Sequence, residues 1–565
     1  MSADADRLKV VLCWHMHQPD YRGPEHSEYQ LPWVYLHGIK DYVDMAAHLE
    51  DNAQARAVVN FAPVLLEQID DYSQQIHDFE RHRRPLGDPL LAALAGPALP
   101  AEPLARQKLL AACLRANETH LINRFPVFRE LVDLAAWFQE RPGSAAYLSD
   151  QYLIDLLVWY HLAWMGESVR QRDLRIAALE KKARHFDLDD RRRLVGLIGE
   201  LMSGIIGRYR ALADSGRVEL SVTPYAHPII PLLLDIRSAR SALPEIPLPK
   251  LSHYPGGEER ARWHIRRGVQ LFRQHFGMTP AGCWPAEGAV SDDTLRLLEE
   301  EGVRWAASGQ QVLHNTLGAA GHFPEYWPHR AYRVQERRVA MFFRDDGLSD
   351  LIGFTYADWH ADDAVGDLVH HLENVARQTR GKSDAVVAII MDGENAWEYY
   401  PNNGHFFLTT LYKRLAEHPG LRLTTFSDCV ERCAVMPYSL PRLVAGSWVY
   451  GTLSTWIGDK DKNRGWDMLG DAKQAFDRAV ASGRLTPTRV EAAELQLATC
   501  EGSDWFWWFG DYNPGAAVSD FERLFRRQLA HLYELLGEPA PDYLQQVFAF
   551  GTGDPSRGGV MRQSQ

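Results

Sequence analysis

The sequence predicts an α/β barrel that carries a helical insertion and is followed by a helical domain. Three observations lead there. Short apolar runs recur along the chain up to Met391, they alternate with longer stretches of helical period, and past Met391 the strand signal fades while the helical one continues. Strands that alternate with helices pair in parallel, and a run of seven favours closure into a barrel, although an open doubly wound sheet fits the same pattern.

The seven runs are Val10 to Trp14, Ala57 to Phe61, Val218 to Val222, Ala281 to Trp284, Arg304 to Ala307, Val339 to Phe343 and Val386 to Met391. The long gap between the second and third is helical in pattern apart from the Pro-rich loop Pro85 to Pro103, and reads as an insertion over about 65–215. A second Pro-rich stretch, Leu243 to Lys250, is expected to be an exposed loop. Charged and apolar residues alternate with helical period from Asp467 to Leu536. The expected boundaries are therefore 1–425 for the barrel with its insertion, 426–550 for the helical domain, and 551–565 for a frayed tail.

Sixty-one basic against 74 acidic residues leave a net charge of −13, with 46% hydrophobic and 24% charged residues over 565 positions. This is a soluble, globular composition. An acidic chain without Lys/Arg runs interleaved with aromatics has no electrostatic footprint for nucleic acid, which is excluded as a partner. Met1 to Asp6 has neither the basic start nor the apolar stretch of an export signal, so a cytoplasmic location is expected. The most apolar helical stretch, Leu153 to Met165, is interrupted by Asp155 and His161 and is too short for a bilayer, so no membrane association is expected. Six cysteines, mostly far apart, fit neither a disulfide framework nor a zinc ribbon; Cys429 and Cys433 could share a helix face, but two thiols alone make no zinc site.

Catalytic groups in parallel barrels sit at the carboxyl ends of strands, where the loops converge on one mouth. The first strand runs into His15-Met16-His17-Gln18-Pro19, the third into Thr223-Pro224-Tyr225-Ala226-His227-Pro228, and the fourth into Trp284-Pro285-Ala286-Glu287-Gly288. The sixth leads to Arg344-Asp345-Asp346 and the seventh to Asp392-Gly393-Glu394-Asn395-Ala396-Trp397-Glu398. Each piece has a plain structural reading. The two histidines could be satisfied packing groups, Glu287 could cap the helix beginning near Ser291, and Asp392 with Glu394 could form a turn. Their coincidence points further, because two carboxylates framed by aromatics supply what glycosidic cleavage needs: one to protonate the leaving oxygen, the other to attack or to activate water. A third aromatic cluster, Glu501 to Gly510, suits either hydrophobic core or a sugar-stacking platform facing the barrel mouth.

Taken together, five motifs resemble glycoside hydrolase family 57, in its amylopullulanase and α-amylase-like branch. They are His-Gln-Pro at 17–19, Thr-Pro-Tyr-Ala-His-Pro at 223–228, Trp-Pro-Ala-Glu at 284–287, Asp-Gly-Glu-Asn at 392–395 and Glu-Gly-Ser-Asp-Trp-Phe-Trp-Trp at 501–508. The resemblance implies a distorted (β/α)7 barrel followed by a helical domain. It also implies a retaining enzyme acting on α-1,4 and also α-1,6 linkages of glycogen, starch, pullulan or maltodextrins. It assigns Glu287 as nucleophile and Asp392 as general acid/base, and places His15, His17, His227, Trp284, Glu394, Trp397, Asp504 and Trp505 along the substrate. No cofactor and no catalytic metal are expected.

The same motifs leave room for a 4-α-glucanotransferase or a glucan-branching enzyme, which differ in the acceptor that reaches the covalent intermediate. A rival of another class is a metal-dependent amidohydrolase-like barrel, with His15, His17, His227 and Asp392 as ligands. It is disfavoured because no metal-bridging lysine is evident and Glu287 and the Trp clusters would be idle. A non-catalytic glucan-binding module is disfavoured by the intact acid pair. With no export signal, the expected substrate is an intracellular glucan.

Overall fold

A computed structural model describes residues 7–23, 28–431, 437–553 and 561. The segment 1–6, Cys433 and most of the expected tail lie outside the described residues. Among the described residues there are ten strands: β1 Leu8–Met16, β2 Ala57–Phe61, β3 Val218–Val222, β4 Gly282–Cys283, β5 Trp305–Gly309, β6 Tyr332–Val334, β7 Ala340–Arg344, β8 Val386–Asp392, β9 Leu421–Leu423 and β10 Tyr438–Leu440. Seven of them pair in parallel in the order β1-β2-β3-β4-β5-β7-β8, and β8 pairs back onto β1, so the sheet is a closed barrel rather than an open one. These are the seven expected runs. The three-residue strands β6, β9 and β10 are additions at the barrel's margin, β6 running antiparallel to β7.

The strands are apolar on both faces because both are covered. All nine residues of β1 are buried, the pattern of a parallel strand with helices outside and side chains filling the barrel within. The interior is packed by Val11, Cys13, Val58, Trp284, Trp305, Phe342 and Ile390. Gly282 is required in β4, since the Trp305 ring fills the space a Cβ would need.

One seam is unlike the rest. β7 and β8 share a single backbone register pair, Arg344 with Ala388. Beyond it, side chains take over the ladder: the Arg344 Nε–H donates to the Ile390 carbonyl at 2.9 Å, and the Ile390 N–H reaches Ser349 Oγ at 3.4 Å.

Between β2 and β3 the chain forms the helical insertion, from helix Pro63–His82 to the 27-residue helix Leu188–Asp214, which opens on a capping box of Asp187 and Asp190. Leu153 to Met165 lies largely in the helix Asp150–Ala163, buried inside this insertion. Among the described residues no helix is long and apolar enough to cross a membrane. After β10, helices Lys460–Ala481, Pro487–Cys500, Ser503–Trp508 and Gly515–Leu536 pack together and against the barrel. Glu501 ties the two parts: its buried carboxylate accepts from Tyr254 Oη (2.6 Å), His264 Nε2 (2.7 Å), and Arg260 through Nε and Nη2 (2.9 and 2.8 Å).

Candidate active site

The carboxyl ends of β1, β3, β4 and β8 open into one pocket, whose outer wall comes from the helical domain. His15, His17, His227, Trp284, Glu287, Asp392, Glu394 and Asp504 all line it. Eight of the ten predicted site residues are thus brought together from distant parts of the sequence.

Glu287 owes its direction to strained backbone. It adopts φ 58°, ψ 23°, and Gly288 follows at φ 58°. A left-handed conformation at a non-glycine residue costs on the order of 1–3 kcal/mol and persists only where the surroundings impose it. Here a second segment does so: Trp448 N–H donates to the Glu287 carbonyl at 3.1 Å, while Val290 and Gly446 exchange backbone bonds of 2.9 and 3.2 Å. The Trp448 indole then donates through Nε1 to Glu287 Oε2 at 2.9 Å. The helix after Glu287 is capped by Ser291, so Glu287 is not its cap.

Asp392 ends β8. Burial pushes its carboxyl up to about 6, against the Asn395 amide that donates to it at 2.9 Å and against the charges of His17 and Arg344. Glu394 accepts at Oε1 from the backbone N–H of His17 (3.3 Å) and from Gln18 Nε2 (3.2 Å). Its burial, together with the nearby charges of Asp392 and Asp41, holds it well above the usual carboxylate range.

The histidines form a hydrogen-bonded stack whose tautomers follow from its end. Asn60 donates through Nδ2 to Ser221 and accepts at Oδ1 from Thr223, so the same Oδ1 accepts from His15 Nδ1–H at 2.7 Å. Burial pushes His15 down to about 3, and it is neutral with a lone pair on Nε2. That lone pair accepts from His227 Nε2–H at 3.1 Å, which leaves His227 Nδ1 to accept from the Ser503 hydroxyl at 2.8 Å. Burial and the neighbouring histidines likewise keep His227 neutral. His17 lies over His227, with ring centroids 3.7 Å apart, and its Nε2 is 2.9 Å from Asp504 Oδ1.

His17, His227 and Asp504 offer ligand atoms within 4.8 Å of one another, close enough for a metal ion by distance alone. The arrangement does not fit one. Both His227 nitrogens are engaged, and rings stacked 15° from parallel send their in-plane lone pairs along separate planes rather than to one point.

Two predicted residues are elsewhere. Trp505 is core: it is 2% exposed, its indole donates to the Thr499 carbonyl at 2.8 Å, and it packs on Phe521 and Phe525. On the helix Ser503–Trp508 the positions that share Asp504's face are Trp507 and Trp508, three and four residues on, and these line the pocket instead. Trp397 is also buried, against Trp14 and Tyr400, and donates to the Gly393 carbonyl at 2.9 Å, so it braces the loop carrying Asp392 and Glu394 from behind.

Gln18, Tyr21, Asn395 and Trp448 are wall residues that sequence reasoning did not single out. Gln18 and Asn395 stood inside quoted motifs, whereas nothing local to Trp448 marks it. Trp284 is 1% exposed and meets Trp448 edge to face, with centroids 5.7 Å apart.

The family model described as glycosyl hydrolase family 57 matches residues 11–440. A 1,4-alpha-glucan branching enzyme of Thermococcus kodakarensis is 27% identical over 150 residues, which are 26% of this chain and 18% of that protein, so the match spans under a fifth of that relative's length. Among solved structures, the family 57 branching enzyme from Thermococcus kodakaraensis is 17% identical with a TM-score of 0.57, covering 96% of this chain and 92% of that one. The α-amylase AmyC from Thermotoga maritima gives 14% and 0.55, with 96% of each chain covered. The family 57-type branching enzyme from Pyrococcus horikoshii gives 14% and 0.54, with 99% of each covered. All three share this fold. With the family model spanning most of the chain, from β1 through β10, the protein is an enzyme of glycosyl hydrolase family 57.

Proposed function

We propose that the enzyme cleaves α-1,4-glucosidic bonds of α-glucans such as glycogen, starch or maltodextrins, with retention, by double displacement. One observation carries this reading: two carboxylates line one pocket in unlike surroundings. Asp392 is buried and held at about 6, suited to donating a proton, whereas Glu287 sits on a strained turn with an indole N–H on one oxygen. In the first step Glu287 attacks the anomeric carbon and Asp392 protonates the leaving glycosidic oxygen. In the second, Asp392, now a carboxylate, takes the proton of the incoming hydroxyl while the Glu287 ester is released. Neutral His15 and His227 contribute a fixed hydrogen-bonding wall without adding positive charge near the developing oxocarbenium ion. Relatives named as α-glucan enzymes support the substrate class.

The acceptor in the second step is water in the hydrolytic reading. Transfer to a second glucan has one observation in its favour: Trp448, Trp507 and Trp508 give the pocket apolar walls on which an acceptor ring could stack in place of water. Incubation with maltoheptaose, pullulan and glycogen, followed by resolution of the products, separates the two. Shorter products alone mean hydrolysis; longer or branched ones mean transfer. Glu287→Gln is expected to abolish turnover with an unchanged thermal midpoint. Asp392→Ala should be inactive and partly restored by azide, which intercepts the intermediate without a base. Near-native turnover by Glu287→Gln would overturn the mechanism.

A further inference from the structure

Resting on that reading, we propose that Arg344 is a positioning residue serving both catalytic carboxylates from the β7–β8 seam. Its side chain is 6% exposed and surrounded by fixed partners: the Ile390 carbonyl at 2.9 Å, Asp346 at 2.8 Å and Asp350 at 2.6 Å. Two of its contacts lead towards the chemistry. On one side its Cζ lies over Trp448, 5.3 Å from the ring centroid, and that same indole donates to Glu287 Oε2. On the other it grips the backbone of β8 two residues before Asp392.

A buried arginine neutralised by two aspartates would ordinarily be read as a structural ion pair. Three features argue for more. On the edge of β8 that faces β7 the cation replaces a missing rung of the ladder, while the other edge stays paired with β1 as far as Asp392, so a side chain fixes one flank of the strand end that carries Asp392. The cation over the face of the indole favours the rotamer in which Trp448 donates to Glu287. The charge also reaches Asp392, pulling against the burial that raises it. The charged groups around Asp392 are His17 from the β1 loop, Arg344 from β7 and Glu394 on its own loop. Around Arg344 stand Asp346 and Asp350, with Asp345 beside them. Arg344 is thus the cation whose loss would be felt at both reacting groups without touching the sugar.

The test compares Arg344→Met and Arg344→Lys with the parent on maltoheptaose, reading kcat and KM separately across pH, with thermal midpoints alongside. Arg344→Met should lose about 10²-fold in kcat with KM nearly unchanged, since misplaced groups cost rate rather than binding. Its alkaline limb should move upward, because Asp392 has lost a neighbouring cation. Arg344→Lys should also lose kcat, for want of the planar fork, but keep the limb in place. Trp448→Phe should lose kcat as well, and the double variant with Arg344→Met should lose less than the product of the single losses. Folded Arg344→Met with parental kcat and limb overturns the proposal. If Arg344→Met does not fold, Arg344→Lys decides, and parental kcat there overturns it equally. Failure of the double-displacement reading would show separately, as turnover by Glu287→Gln.

Discussion

Trp505 and Trp508 stand three residues apart on one short helix, and only the second reaches the pocket. Trp505→Ala is expected to cost about 3–5 kcal/mol in stability and leave the product profile unchanged in whatever folds. Trp508→Ala should do the reverse, with a small shift in thermal midpoint and a raised KM for long glucans; thermal melts run beside product analysis check both. Asp392 carries a pH prediction. Its folded value of about 6 lies above the ordinary 3.8, so the folded state holds a proton the unfolded chain has released. That contribution to stability is complete below about 4 and is lost as pH rises through about 6. Asp392→Asn cannot ionise and should gain on the parent in thermal midpoint from pH 4 to 7. Glu394 shifts in the same direction, by burial and then by the charge of Asp392, so removing that charge relieves Glu394 as well and adds to the gain. The alkaline limb of kcat/KM should fall near pH 6 in the parent, where Asp392, the proposed acid, loses its proton.

At the scale of elements, Glu501 holds the helical domain to the barrel. Burial alone would raise its carboxyl, but the Arg260 charge and the hydrogen bonds from His264 and Arg260 bring it down to about 2. Glu501→Ala would strand a buried guanidinium, at a cost of about 3–5 kcal/mol, and should loosen the segment bearing Asp504 and Trp508, raising KM. With a depressed folded value, the Glu501 contribution is present above about 4.5 and is lost as pH falls towards about 2. The barrel strands were legible in the sequence because each is apolar on both faces and long enough to stand out between helices. Strands β6, β9 and β10 were not, since three residues carry no period. The lining of the pocket was legible where a motif follows a strand, as at His15, Glu287 and Asp392. It failed where position depends on helix phase, as at Trp505, or on a partner far away, as at Trp448, whose importance lies in a contact with residue 287. Arg344 was visible as a charged strand end, but its reach to Trp448 depends on tertiary placement.

Over the whole molecule, the pocket gathers residues from both ends of the chain. His17 and Asp504, 2.9 Å apart, are separated by 487 positions in sequence. Both carboxylates belong to the barrel, yet the wall of Asp504, Trp507 and Trp508 arrives only when the last helices dock. Contacts this remote close late, because their loop entropy must be offset by structure already formed. Assembly is therefore expected to separate in time into a barrel that holds the two carboxylates proposed as acid and nucleophile and a later docking that completes the pocket around them. On dilution from denaturant, far-ultraviolet ellipticity should return before catalytic activity, and Glu501→Ala should lengthen that lag. Recovery of both signals in a single phase would mean instead that barrel and helical domain fold as one unit.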